Sequence, residues 1–93
     1  MALRFTWDTR KAAANLRKHG IGFEEAATAF GDPLSITVPD PDHSGTEERF
    51  VLLGVSESQR HLVVVHLERA RDEYRIISAR PASRRERRQY EEG

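Results

Sequence analysis

The sequence predicts an α+β domain in which helices pack on one face of an antiparallel sheet. Three features carry that expectation. A short alternating segment leads into two stretches of helical period, three Val-, Ile- and Leu-rich runs are divided by brief polar connections, and a Ser-x-x-Glu start of a helix closes the chain. At 93 residues the chain makes one domain, residues 1–93, with a thin core and no room for a second.

Leu3 to Trp7 alternates apolar Leu3, Phe5 and Trp7 with polar Arg4 and Thr6, the period of a half-buried strand. Asp8 ends it and caps the Ala-, Lys- and Arg-rich segment that follows, because its carboxylate accepts from the amide donors freed in a first helical turn. That helix is expected from Thr9 to His19. Gly20 suits the left-handed residue beyond it, and Arg17, Lys18 and His19 set positive charge against the negative dipole end. A second helix starts near Phe23, where Phe23, Ala26, Ala27 and Phe30 recur at helical spacing, and Gly31-Asp32-Pro33 stops it. Leu34 to Val38 reads as a short strand, and residues 39–45 as a loop broken by Pro39 and Pro41. Arg49 to Val55, His61 to Leu67 and Tyr74 to Arg80 form an antiparallel meander. Ser83-Arg84-Arg85-Glu86 has the form of a capping box, so a last helix runs from there to Tyr90 or Glu91.

Net charge is zero, but charge is segregated along the chain. Residues 1–20 carry five basic groups against one acid, residues 21–48 carry seven acids and no Lys or Arg, and residues 49–93 carry ten Arg against seven acids. Thirteen of the fifteen basic residues are Arg, whose planar fork binds phosphate bidentately and stacks on bases. RNA is therefore a reasonable ligand, although Arg enrichment also arises from solvated helix faces. The absence of cysteine excludes a disulfide framework, no apolar stretch approaches a membrane span, and Arg4, Asp8, Arg10 and Lys11 interrupt any signal-like apolar run. The default expectation is a cytoplasmic protein with no membrane partner.

A metal-free ribonuclease must take a proton from the 2′-hydroxyl, return one to the 5′-oxygen, and stabilise a phosphorus centre bearing extra negative charge. Lys18 and His19 suit phosphate binding and proton transfer, or else are simply a charged helix end. Glu48 and Arg49 open the first meander strand and Arg80 closes the last, so the sheet can present all three on one surface; the plain alternative is an exposed ion pair at strand ends. Tyr90, four residues after Glu86, either stacks a base and donates to phosphate or packs the last helix onto the sheet. Asp40, Asp42, His43 and Glu47 have metal-ligand residue types, but their spacing matches no metal signature, and no cofactor is expected. His61 and His66 read as fillers of a sheet face.

Several segments together resemble the BrnT toxins, small ribonucleases of bacterial toxin–antitoxin pairs. They are the run from Phe5 through Lys18-His19-Gly20 to Ala26, Glu48-Arg49-Phe50, Arg75-Ile76-Ile77-Ser78-Ala79-Arg80, and Glu86-Arg87-Arg88-Gln89-Tyr90. The resemblance spans nearly the whole chain and implies a RelE-like fold and a metal-independent endoribonuclease that cleaves cellular RNA to inhibit growth. It moves Lys18, His19, Arg49, Arg80 and Tyr90 toward catalytic roles, with Glu48 and His43 ranked lower and His43 on the rim of the RNA site. Arg84, Arg85 and Arg88 then become nucleic-acid contacts. It further implies a cognate ribbon-helix-helix antitoxin of the BrnA kind, a heterotetramer, and contact with DNA only through that antitoxin. The alternative is a non-catalytic RNA- or protein-binding module, such as a helper subunit of a DNA-binding antitoxin.

Overall fold

The computed structural model describes residues 2–41 and 48–93. Strand β1 (Arg4–Thr6) leads to α1 (Thr9–His19) and α2 (Phe23–Thr28), which a single 3-10 turn (Ala29–Gly31) extends. Then come β2 (Ile36–Pro39), β3 (Arg49–Val55), β4 (His61–Ala70), β5 (Glu73–Pro81) and α3 (Arg84–Glu92). The sheet order is β1-β5-β4-β3-β2. The β2–β3, β3–β4 and β4–β5 pairs are antiparallel, as expected of hairpins and a meander, whereas β1 runs parallel to β5. That parallel pair requires the chain to cross from one edge of the sheet to the other, and α1 and α2 make the crossing.

Local chemistry accounts for the helix ends. Asp8 accepts from the Arg10 and Lys11 amides at 2.8 and 3.1 Å, and Gly20 closes α1 at φ 71°. In α3 both halves of the capping box are made: the Ser83 hydroxyl accepts from the Glu86 amide, and the Glu86 carboxylate accepts from the Ser83 amide at 2.8 Å.

Register assigns every strand residue to one of two faces. Leu52, Val64 and Ala79 lie in one row, with Leu62 and Ile76 on the same side, and all five belong to the main core with Ile21, Phe23, Ala26 and Ala29. This face is covered by α1, α2 and the 3-10 turn. Gly54 is required beneath that turn, because a Cβ there would come within 3.0 Å of the Ala29 carbonyl oxygen and 3.2 Å of Ser35. An aromatic group seals one side: Phe5 meets Phe30 edge-on at 4.9 Å and stacks near Tyr74, Phe30 meets His66 at 4.8 Å, and Trp7 stands edge-on to Phe23. His66 fills this face as expected; burial pushes its pKa down, so the ring packs as a neutral group.

The buried Asn15 solves a problem created by the parallel edge. β1 pairs only with Glu73 to Arg75, leaving the later part of β5 without a neighbour on that side. The Asn15 amide donates to the Ala79 carbonyl at 2.8 Å and to the Ile21 carbonyl at 2.9 Å, while its oxygen accepts from the Ala79 amide at 3.1 Å. One side chain thus replaces the missing strand.

One expectation needs correction. The helices do not all share a face: α1 and α2 cover the core side, but α3 crosses the other. Its Glu86 binds Arg80, its Tyr90 ring meets His61 edge-on at 5.2 Å, and Gly93 lies against Ile36, all from rows opposite to the core. Separately, β5 does not alternate regularly. Val65 pairs with Ser78 and His66 with Ile76, so Ile77 is an extra, unpaired residue in a bulge.

Candidate nucleic-acid interface

The side of the sheet away from α1 and α2 is built from Arg49, Val51 and Leu53 of β3, His61, Val63, Val65 and Leu67 of β4, and Arg75, Ser78 and Arg80 of β5. β2 adds Ile36 and Val38 beside Leu53 and Val51. The centre is apolar and the rim is cationic. A groove of about 510 Å³ runs over Ile36, Val38, Val51, Leu53 and Val63 and ends at Arg80, Glu86 and Gln89.

Arg80 is held in place. Its two terminal nitrogens donate to the two Glu86 oxygens at 2.8 Å each, and one also reaches the Pro81 carbonyl at 3.3 Å. Arg80 foremost, against the opposing effect of burial and with help from the Ser83 amide, draws the Glu86 carboxyl down to about 2. The pair is bidentate and fixes the guanidinium at the mouth of the groove.

Arg49 and Arg80 share this face, as expected, but not a position on it. Arg49 faces Leu67 and Arg80 faces Val63, four residues apart along β4, or roughly 13 Å. They address separate points of a bound chain. Glu48 is exposed and makes no ion pair with Arg49 among the described residues. His43, together with Asp42 and Glu47, lies outside the described residues.

Lys18 and His19 occupy the last turn of α1, with Lys18 exposed and His19 half-buried. Sequence reading missed what surrounds them. Arg60, in the β3–β4 turn, donates to the Gly20 carbonyl at 3.1 Å and pairs with Glu25 of α2, which also accepts from the Ser56 hydroxyl at 2.8 Å. The turn is thereby strapped to the Lys18-His19-Gly20 corner. Beside it Arg60, His61, Pro81, Ala82 and Arg87 line a cleft of about 240 Å³. Lys18, His19, Arg60, His61 and the start of α3 therefore meet at one end of the sheet, while Glu48 and Arg49 stand at the other.

Tyr90 is tethered to Asp32. Its hydroxyl donates to Asp32 at 2.6 Å, and this bond first, then burial, pushes the phenol up to about 12. Burial alone would raise the Asp32 carboxyl, but hydrogen bonds from Tyr90 and from the Val55 and Leu34 amides outweigh it and hold the group below its ordinary range. The bond ties α3 to the turn that follows α2, and a phenol held so is a poor proton donor near neutral pH. A late Tyr signals an anchor as readily as a catalyst, and its partner Asp32 sits 58 residues away.

On α3, Arg84, Arg87 and Arg88 recur at helical spacing on the side away from Glu86, Gln89 and Tyr90, and with Arg85 all are exposed. This outer stripe continues the cationic rim beyond the sheet. Among the described residues no three His, Asp or Glu side chains come close enough to hold a metal, and no helix is long and apolar enough to cross a membrane.

The family described as "Ribonuclease toxin, BrnT, of type II toxin-antitoxin system" matches residues 7–86. The crystal structure of the Brucella abortus ribonuclease toxin BrnT superposes with a TM-score of 0.64 at 20% identity, covering 89% of this chain and 100% of that one. At that identity the likeness speaks for the fold. No curated protein matches the chain.

Proposed function

Because the chain belongs to the BrnT family of ribonuclease toxins of type II toxin–antitoxin systems, we propose that it is itself an endoribonuclease, cleaving cellular RNA without a metal and silenced by a cognate antitoxin. The observation that supports this most directly is the open sheet face, where Arg49 and Arg80 flank an apolar floor next to the exposed Arg84, Arg85 and Arg88 of α3. Such a surface suits single-stranded RNA: guanidinium groups track the phosphates, and bases lie against the apolar floor.

In this reading the 2′-hydroxyl attacks the adjacent phosphorus and the 5′-oxygen leaves with a proton. Arg80 supplies the positive charge that the crowded phosphate needs as its negative charge grows, while Arg49, farther along the face, holds another phosphate of the same strand. Lys18 and His19 are the groups proposed to bind and to move protons at the α1 corner; with its proton held by Asp32, Tyr90 is assigned to positioning α3. Glu48 is a lesser candidate at the far end of the face.

The antitoxin is proposed to be a ribbon-helix-helix protein of the BrnA kind that forms a heterotetramer with the toxin, reaches DNA on its behalf and covers the same cationic surface. A cytoplasmic location suits that partnership. Incubating the purified chain with end-labelled RNA, with and without EDTA, tests the core of the proposal. Cleavage that survives chelation and leaves 2′,3′-cyclic phosphate ends is expected. A folded protein that cuts no RNA, or cuts only with an added divalent ion, would refute it.

A further inference from the structure

We propose that Arg75 joins Arg49 in a two-arginine clamp for a single phosphodiester of the RNA, at a subsite separate from Arg80. This rests on the nuclease reading above. The observation is the register across β4: Arg49 pairs with Leu67, and Leu67 pairs with Arg75. The two arginines therefore project from the same face on either side of one leucine, with Cα atoms two strand spacings or roughly 10 Å apart. Two long guanidinium side chains converge readily across that gap.

Neither guanidinium has its fork filled by a carboxylate among the described residues. Among the described residues, Arg49 and Arg75 make no hydrogen bond or ion pair, in contrast to Arg80 and Arg60, whose forks are filled by Glu86 and Glu25. Of the neighbouring acids, exposed Glu48 precedes Arg49 in the chain but makes no ion pair with it among the described residues. Glu73 binds Arg4 at 3.0 Å, Glu68 stands in the Tyr74 row of the opposite face, and Asp8 caps α1, though its carboxyl still feels the Arg75 charge. Two cations flanking an apolar strip, with no carboxylate bonded to either among the described residues, are left with a need for an anion.

The surroundings favour a nucleic-acid phosphate. In the next row Val51, Val65 and Ser78 lie side by side, offering a partly exposed apolar surface for a base and a hydroxyl for a phosphate or ribose oxygen. β5 then carries Arg75, Ser78 and Arg80 as a line of donors along one strand, leading from the clamp to the groove beside α3. An RNA strand bound along β5 places one phosphate between Arg49 and Arg75 and a later one near Arg80.

The test measures binding of a fluorescent single-stranded 2′-O-methyl RNA of about twelve nucleotides, a length above the smallest site sizes of single-strand binders, by anisotropy across a salt series. Arg75→Ala and Arg49→Ala are each expected to weaken binding roughly tenfold to a hundredfold and to flatten the dependence of log Kd on log salt by roughly 0.7 for each phosphate no longer neutralised. The double variant is expected to lose less than the product of the two single losses, because both side chains serve one phosphate. Arg75→Gln retains much of the stem over Leu67 while removing the charge, and decides the matter if the alanine variant melts early. Wild-type affinity and salt slope in a folded Arg75→Gln, with binding still impaired by Arg80→Ala, would overturn the clamp and leave the nuclease reading standing. Fully multiplicative losses would overturn the shared phosphate. An unmodified RNA that wild-type chain neither binds nor cuts would overturn both proposals.

Discussion

The two faces of this one sheet obey opposite rules. On the side of α1 and α2 every buried side-chain polar atom among the described residues has a partner, and the packing is aromatic and aliphatic: Ile21, Phe23, Ala26, Leu62 and Ala79 are fully buried, and Asn15 makes three hydrogen bonds. On the other side Arg49 and Arg75 stand without partners among the described residues, and only Arg80 is paired, with the helix that crosses there. The first arrangement lowers the free energy of the folded chain, since buried polar groups cost least when satisfied. The second leaves like charges side by side, which contributes nothing to folding and is relieved by an anionic ligand. The two arrangements are separated by the thickness of a strand.

Substitutions on each face should therefore report on different quantities. The largest effect on stability is expected from Asn15→Ala, which strands the Ala79 amide and two carbonyls in a buried place; a loss of roughly 2 to 4 kcal/mol follows, read by denaturant unfolding. A loss near zero would mean that water serves the β5 edge as well as the side chain does. On the open face Arg80→Ala should lower RNA cleavage by roughly tenfold to a thousandfold, the scale of one lost transition-state donor, while Glu86→Gln, which loosens the same pair, should keep activity within a fewfold. Equal losses in both variants would reduce Arg80 to a brace for α3.

The smallest effect concerns acid. Glu86 has its carboxyl drawn from the ordinary 4.5 to about 2, so its stabilising contribution is complete above about pH 4.5 and is lost as the pH falls toward 2. Because the groups lie at the surface, the loss is modest and should be seen as fraying of α3 before the sheet unfolds. Following the Tyr90 fluorescence or ring resonances through that range in wild type and Glu86→Gln checks it. A transition of the same size in both would assign the acid sensitivity to Asp32 instead.

Much of this was legible in the sequence because it is encoded locally. Asp8 and Gly20 delimit α1 at Thr9 and His19 as expected, Ser83 and Glu86 start α3, and the three apolar runs give the meander, with β3 bounded as predicted and β4 extended to Ala70. What escaped was non-local. Nothing near Phe5 announces that β1 will lie parallel to β5, and a lone Asn in a helix of Ala and Arg reads as a surface residue until the missing strand beside Ala79 is seen. The same holds for the site: Arg49 and Arg80 could be placed on one face from their strands, but their separation, the pairing of Arg80 with Glu86 and the capture of Tyr90 by Asp32 depend on register and on packing across the sheet.

The bulge at Ile77 has a consequence for heredity as well as for geometry. Arg75 and Arg80 are five residues apart, an odd interval, and in a regular strand an odd interval sends two side chains to opposite sides. The unpaired Ile77 adds the half-step that returns both to the same side while keeping Ile76 and Ala79 in the core. It works as a phase shifter that absorbs one surplus residue, so the loss of the Ile77 codon alone would leave an even interval and a regular strand, with Arg75 and Arg80 still on the open side and Ile76 and Ala79 still in the core.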